Sequence, residues 1–305
     1  MRTIITSPTE AATIRCGPAG WAHRHWDGLV YPQSVGSALN SLEFMAERFD
    51  TLEVTSSFYH MVRPELARYW AKTVTGNPRF QFTARMNRQF THERQVDEAS
   101  VRQFSEGLRP LLDQGRLGCV LMQFPASFRF TTENRAFLIQ LRRQFSEFPL
   151  VAELRHASWN VEEAAGTLID HHVGFANLDQ PQSVRATPPT SRLTWRVGYV
   201  KLHGRSCGPG FGLFDDRPYA VSGNDYMYSN EELAQWRTRI ENVARFAEST
   251  FVVFNNDAEG RSVINALQME SLLTSNPAMA GPGRTAAAAT QSVLESPLFA
   301  QHRAA

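Results

Sequence analysis

Leu150-Val151-Ala152-Glu153-Leu154-Arg155-His156-Ala157-Ser158-Trp159 joins an apolar run of strand length to a charged and aromatic segment. Residues 150–154, bounded upstream by Pro149, read as a buried strand. Glu153 and Arg155 stand two positions apart and therefore share one face of it. Charged groups on a buried face are costly unless paired or hydrogen-bonded. Two readings follow. The pair fixes the register of a barrel, or it forms the floor of a ligand site, with His156 and Trp159 placed where the strand gives way to a loop.

Similar short runs recur on both sides, at residues 14–17, 51–55, 79–85, 118–123, 173–177, 197–203 and 251–255. Between them lie segments of helical period. Leu39, Leu42, Ala46 and Phe49 mark one helix face; a second helix follows Pro64 and includes Trp70. A third carries Val101, Phe104, Leu108, Leu111 and Leu112, and Pro110 inside it predicts a kink or a division into two pieces. Further helices are expected around Phe137–Phe145, over 162–171, along Leu233, Trp236, Ile240, Val243 and Ala247, and over 261–273, whereas 182–195 reads as a polar loop. Eight strands, each followed by a helix or a long loop, imply a parallel sheet closed into a single α/β barrel of the (β/α)8 TIM type. An open doubly wound sheet is the alternative, but no Rossmann-type glycine fingerprint follows the first strand. The barrel is expected to span 14–274, between a flexible N-terminus at 1–13 and a mobile tail at 275–305 rich in Pro, Gly, Ala and Ser.

The 305-residue chain is 42% hydrophobic and 20% charged, with a net charge of +1. That balance offers no global footprint for nucleic acid or an anionic membrane, although a local basic pocket is compatible with it. Cys16, Cys119 and Cys207 are odd in number and widely spaced, which points to reduced thiols and a cytoplasmic setting. Residues 1–13 lack the apolar core of a signal peptide, and no apolar run is long enough to span a bilayer.

Several strings together resemble the YecE-like family, catalogued as domain of unknown function 72. They are Gly20-Trp21 with Trp26 and Tyr31-Pro32, FDTLEVTSSFY over 49–59, Thr91-His92, and Gln123-Phe124-Pro125. AELRHASW over 152–159, YVKLHGR over 199–205 and FNND over 254–257 complete the set, in order, across roughly residues 14–270. The resemblance implies a TIM-type barrel and assigns no catalytic residue. This sequence departs from the family's pattern at Thr55 (usually Asn), Arg85 (usually Lys), Lys201 (usually Arg) and His23 (commonly aromatic). The two Lys–Arg exchanges keep positive charge, which suggests that charge matters there more than fork geometry.

In such barrels the reacting groups project from the C-terminal ends of the strands. Those positions hold Glu53, Arg85, Gln123, Glu153, Arg155, Lys201, His203 and either Asn255 or Asn256. Three fixed cations against two carboxylates disfavour a multi-metal centre and favour an anionic ligand held without an obligatory metal or cofactor. His203 and Glu153 are the candidate acid–base pair, with Glu53 as a third catalytic candidate. Trp21, Trp159 and Tyr59 either stack on a ligand or cap the core, and His156 borders the same region. His23 and His25 have a spacing seen in metal sites, but no second ligand cluster stands nearby in the sequence, so they read as loop histidines. The glycine-rich loop from Gly204 is either a phosphate cradle or a flexible surface loop. The expected partner is a small phosphorylated or carboxylated ligand, sugar- or nucleotide-like. The alternatives are a phosphate-clamping, nucleic-acid-associated binding protein, not favoured, and a metal-dependent phosphodiesterase resembling endonuclease-type barrels.

Overall fold

The structure, a computed structural model, describes residues 13–32, 38–206 and 225–274. Eight strands run in parallel: β1 (Thr13–Pro18), β2 (Thr51–Val54), β3 (Gln81–Arg85), β4 (Leu117–Gln123), β5 (Leu150–Glu153), β6 (Gly174–Asp179), β7 (Val197–Leu202) and β8 (Ser249–Phe254). Their spatial order is β1-β8-β7-β6-β5-β4-β3-β2. The ends of that row meet where Ala19 bridges Glu53 in parallel and the Gly20 amide donates to the Glu53 carbonyl at 2.9 Å. Gly17 permits this approach, since a Cβ there would lie 1.8 Å from the Thr51 carbonyl oxygen.

The helices are α1 (Ala38–Ala46), α2 (Pro64–Thr73), α3 (Arg88–Thr91), α4 (Glu98–Asp113), α5 (Thr132–Gln144), α6 (Glu162–Asp170), α7 (Asn230–Ala244) and α8 (Arg261–Thr274). Their starts follow local chemistry: Pro64 opens α2, Asp97 caps α4 through the Ser100 amide, and Ser229 with Glu232 forms a capping box on α7. Pro110 does not divide its helix. It sits in the last turn of α4, which is a single element. The strand carrying the AELR string ends at Glu153, so Leu154 and Arg155 already lie beyond it. The expected mobile ends, Cys207 and most of the glycine-rich loop lie outside the described residues.

Strand alternation divides the interior into two shells. One residue parity packs outward against the helices, as Leu52, Val54, Phe82, Val120, Met122, Val200, Leu202 and Phe254 do. The other fills the barrel itself with Cys119, Leu121, Val151, Ala176, Leu178, Tyr199, Phe251 and Val253. A register shift between β3 and β4 brings Gly118 against the Phe251 ring, whose Cζ would stand 2.1 Å from an added Cβ. The large aromatic thus fits the barrel because a side chain is missing opposite it.

Candidate functional site

One step above this apolar layer, at the C-terminal ends of the strands, the lumen-facing residues turn polar. Glu53 follows Thr51 on β2, Arg85 follows Thr83 on β3, Glu153 follows Val151 on β5, and Lys201 follows Tyr199 on β7. Their side chains close a circuit. Arg85 Nε donates to Glu53 Oε1 at 2.5 Å, and Arg85 Nη2 donates to Asn255 Oδ1 at 2.6 Å. Asn255 Nδ2 donates to His203 Nδ1 at 3.2 Å, while His203 Nε2 stands 3.1 Å from Glu153 Oε1. Lys201 Nζ completes the loop, 3.2 Å from Glu153 Oε2 and 2.9 Å from Glu53 Oε2. Arg155 clasps Glu153 Oε1 from outside through Nε at 2.8 Å and Nη2 at 2.7 Å.

Glu53, Glu153 and Lys201 are fully buried, and water cannot screen them. Burial opposes ionisation of Glu53, but Arg85 and then Lys201, with hydrogen bonds from Lys201 and Tyr199, outweigh it and hold the carboxyl at about 2. Glu153 is likewise held well below the ordinary carboxylate value, where Lys201, Arg155 and His203 overcome burial. Burial, with Arg85 beside it, lowers the Lys201 ammonium despite both carboxylates. Burial also dominates at His203, which falls to about 4 although Glu153 pulls the other way. His203 is therefore a neutral ring at neutral pH. With Asn255 donating to Nδ1, its proton belongs on Nε2, facing Glu153.

The structure thus brings together Glu53, Arg85, Glu153, Arg155, Lys201, His203 and Asn255. Gln123 stands in register with Glu153 on the neighbouring strand, and its buried Oε1 has no hydrogen-bond partner among the described residues. Asn256 points the opposite way: its amide nitrogen donates to the Tyr226 carbonyl and to Asn265 Oδ1, behind the sheet. Trp159 is core, stacked on Phe128 with its indole N–H on the Phe128 carbonyl at 2.8 Å. Trp21 is also buried, packed edge-on against Trp70. Both indoles are buried where their apolar surface finds aromatic neighbours. Tyr59 remains 46% exposed at the rim, and His156 is half-buried as the cap of a short turn, accepting from the Ser158 amide. Arg205, the last residue of the YVKLHGR string, leaves the mouth to pair with Asp179 and Glu232, and Trp236 donates to the same Asp179.

Two participants were not singled out in the sequence. Tyr199 donates to Glu53 Oε2 at 2.7 Å from the layer below, and its place on the Lys201–His203 face was the signal. Asp257 is the other. His23 and His25 lie in the loop after β1, as read, and a ligand atom from each lies within 4.8 Å of the other and of the Asp257 carboxylate. Asp257 is distant in sequence but adjacent in space, because β1 pairs with β8 and the loops that follow them meet. Among the described residues, this is the single group of three such side chains that converges in this way. A depression bounded by Glu43, Glu47, Asp50, Lys72 and Arg79 lies at the opposite end of the barrel, where β2 and β3 begin.

No helix among the described residues is long and apolar enough to cross a membrane. The family model described as "Protein of unknown function DUF72" matches residues 15–290. The chain is similar to the UPF0759 protein YunF of Bacillus subtilis (strain 168), at 27% identity over 272 residues, covering 85% of this chain and 94% of that one. It is also similar to the crystal structure of a DUF72 family protein from Thermotoga maritima, with a TM-score of 0.74 and 28% identity over 86% of this chain and 99% of that one. A DUF72 family protein from Enterococcus faecalis shares the fold, with a TM-score of 0.74 and 24% identity over 86% of this chain and 95% of the other. Sequence, strand order and closure agree: this chain belongs to the DUF72 family.

Proposed function

We propose that the barrel mouth binds a small anionic ligand, phosphorylated or carboxylated, that also presents a hydroxyl or N–H group. The carrying observation is the gathering of three fixed cations at one end of the barrel, where Arg85, Arg155 and Lys201 converge on Glu53 and Glu153. The side chains of Arg85 and Arg155 keep 12% and 15% of their surface accessible, and guanidinium edges suit carboxylate or phosphate oxygens. Gln123 Oε1 supports a hydroxyl or N–H on the same ligand, since a buried acceptor without a partner is costly until one is supplied. Sugar- and nucleotide-like anions carry both groups. The buried thiols Cys16 and Cys119 suit a reducing, cytoplasmic compartment.

A reaction, if the ligand undergoes one, falls to His203 and Glu153. Both are buried and hydrogen-bonded to Arg155 and Asn255, so a reaction at them requires those two side chains to move toward the anion. The test is a thermal-shift panel of phosphorylated sugars, nucleotides, organic acids and a short DNA duplex against the wild-type protein, Arg155→Gln and Gln123→Leu. One anionic class should stabilise the wild type, with affinity lost about 10- to 150-fold in Arg155→Gln, as for a hydrogen bond to a charged group worth about 1.5–3 kcal/mol. Stabilisation by the duplex alone, with a steep salt dependence, would transfer the site to nucleic acid. No stabilisation by any member would reduce the charged mouth to a structural element.

A further inference from the structure

We infer that His23, His25 and Asp257 form a binding site for one zinc-class divalent metal ion, on the rim of the mouth between the loops that follow β1 and β8. The three side chains offer two imidazole nitrogens and one carboxylate oxygen within 4.8 Å of one another. His23 Nδ1 already lies 3.5 Å from Asp257 Oδ2. Two ligand atoms on a tetrahedral zinc, with bonds of about 2.1 Å, stand roughly 3.4 Å apart. The separation is therefore an edge of the coordination polyhedron as it stands.

The surroundings hold the ligands as a metal site requires. His23 Nε2 faces the Ala19 carbonyl at 3.1 Å and His25 Nε2 faces the Asp257 carbonyl at 3.1 Å. For His23, donation to the Ala19 carbonyl puts the proton on Nε2 and leaves Nδ1, the nitrogen that faces Asp257, for a cation. Backbone acceptors fix the tautomers of ligating histidines in this way elsewhere. The Asp257 carbonyl is itself pinned by the Trp26 indole at 2.9 Å, and the His23 ring packs on that indole at 4.4 Å between centroids. Gly20, at φ +80°, lets the turn close on His23, because a Cβ there would lie 2.7 Å from Nε2. Two imidazoles and one carboxylate select zinc, cobalt, nickel or copper over magnesium or calcium, which prefer oxygen-only shells. Three protein ligands leave at least one position for water or another ligand.

This inference does not depend on the anion reading, because none of the three residues belongs to the charged circuit. The experiment uses the full chain, stripped with a chelator and titrated with Zn2+ against a chromogenic competitor and with Co2+ by absorption. His25→Ala, Asp257→Asn and the control His60→Ala are measured alongside, with circular dichroism to check folding. His25 is exposed, so its removal leaves the fold intact and keeps the test decisive. The expected result is one equivalent of Zn2+ per chain and a tetrahedral Co2+ spectrum. Affinity should fall at least tenfold in His25→Ala and Asp257→Asn and stay unchanged in His60→Ala. Equal affinity in all four proteins, or no saturable equivalent in the wild type, overturns the site and leaves His23–Asp257 as a plain polar contact.

Discussion

The lower and upper layers of the barrel lumen are built on the same strands and differ in almost every physical respect. Leu121, Val151, Tyr199 and Val253 fill the lower layer, while Gln123, Glu153, Lys201 and Asn255 stand two residues further along. A strand advances only about 6.6 Å in two residues. Within that distance the packing changes from apolar contact to a ring of ions, with Tyr199 joining them through its hydroxyl. The lower layer is stabilised by area removed from water and by side chains that fit one another, as Phe251 fits against Gly118. The upper layer is stable only while each charge keeps its counter-charge.

That contrast can be broken most directly at Lys201, the one cation shared by both carboxylates. Lys201→Met should lose roughly 3–5 kcal/mol at pH 7 in urea unfolding, the usual result of removing one partner from a buried ion pair, here from two carboxylates at once. The deficit should shrink as pH falls, because Glu53 and Glu153, left with Arg85 and Arg155, take up protons more readily. Leu121→Ala in the lower layer should cost about 2–5 kcal/mol as a cavity, with no dependence on pH. Equal pH profiles for the two variants would erase the distinction between the layers.

Wild-type stability should show two acid limbs. His203 falls from 6.5 in the unfolded chain to about 4 in the fold, so its contribution is complete above pH 6.5 and is lost as pH falls through 4. A separation of that size corresponds to roughly 3 kcal/mol as an upper figure. Glu53 falls from 4.5 to about 2, so its contribution is complete above pH 4.5 and disappears as pH drops through 2. His203→Gln should flatten the first limb and leave the second, which urea melts at half-unit pH steps resolve. The smallest effect is chemical. Burial raises the Cys119 thiol well above its ordinary value, so alkylation followed by peptide mapping should leave it unmodified until the protein unfolds.

The eight strands were legible because outward-facing and inward-facing residues are both apolar over short, turn-bounded runs, and helices of clear period separate them. The charged mouth was legible for a related reason: Glu153 and Lys201 interrupt apolar strands, and a charge in such a place needs a partner. Parity also settles what the sequence left open at Asn255 and Asn256, since the first follows Val253 into the lumen and the second follows Phe254 outward. Trp21 and Trp159 were ambiguous because an indole serves a core and a ligand equally well, and only their burial against aromatic neighbours decides. Asp257 escaped notice because its partners lie at the far end of the chain. Nothing local at the FNND string announces that the barrel closes beside His23.

That closure also governs the order in which the molecule can be made. Thr13 takes its register from Ser249 and Pro18 from Phe254, so β1, the earliest of the described strands to be made, waits for β8, the latest of them, before its second edge is paired. Contacts of such long range are slow to form, and an unpaired edge is exposed to aggregation meanwhile. Asn255 and Asp257 arrive with that last strand. A nascent or truncated chain that stops short of them therefore lacks the circuit at Asn255 and the His23–Asp257 rim together. Completion of the barrel and completion of its mouth are a single late event in the life of the chain.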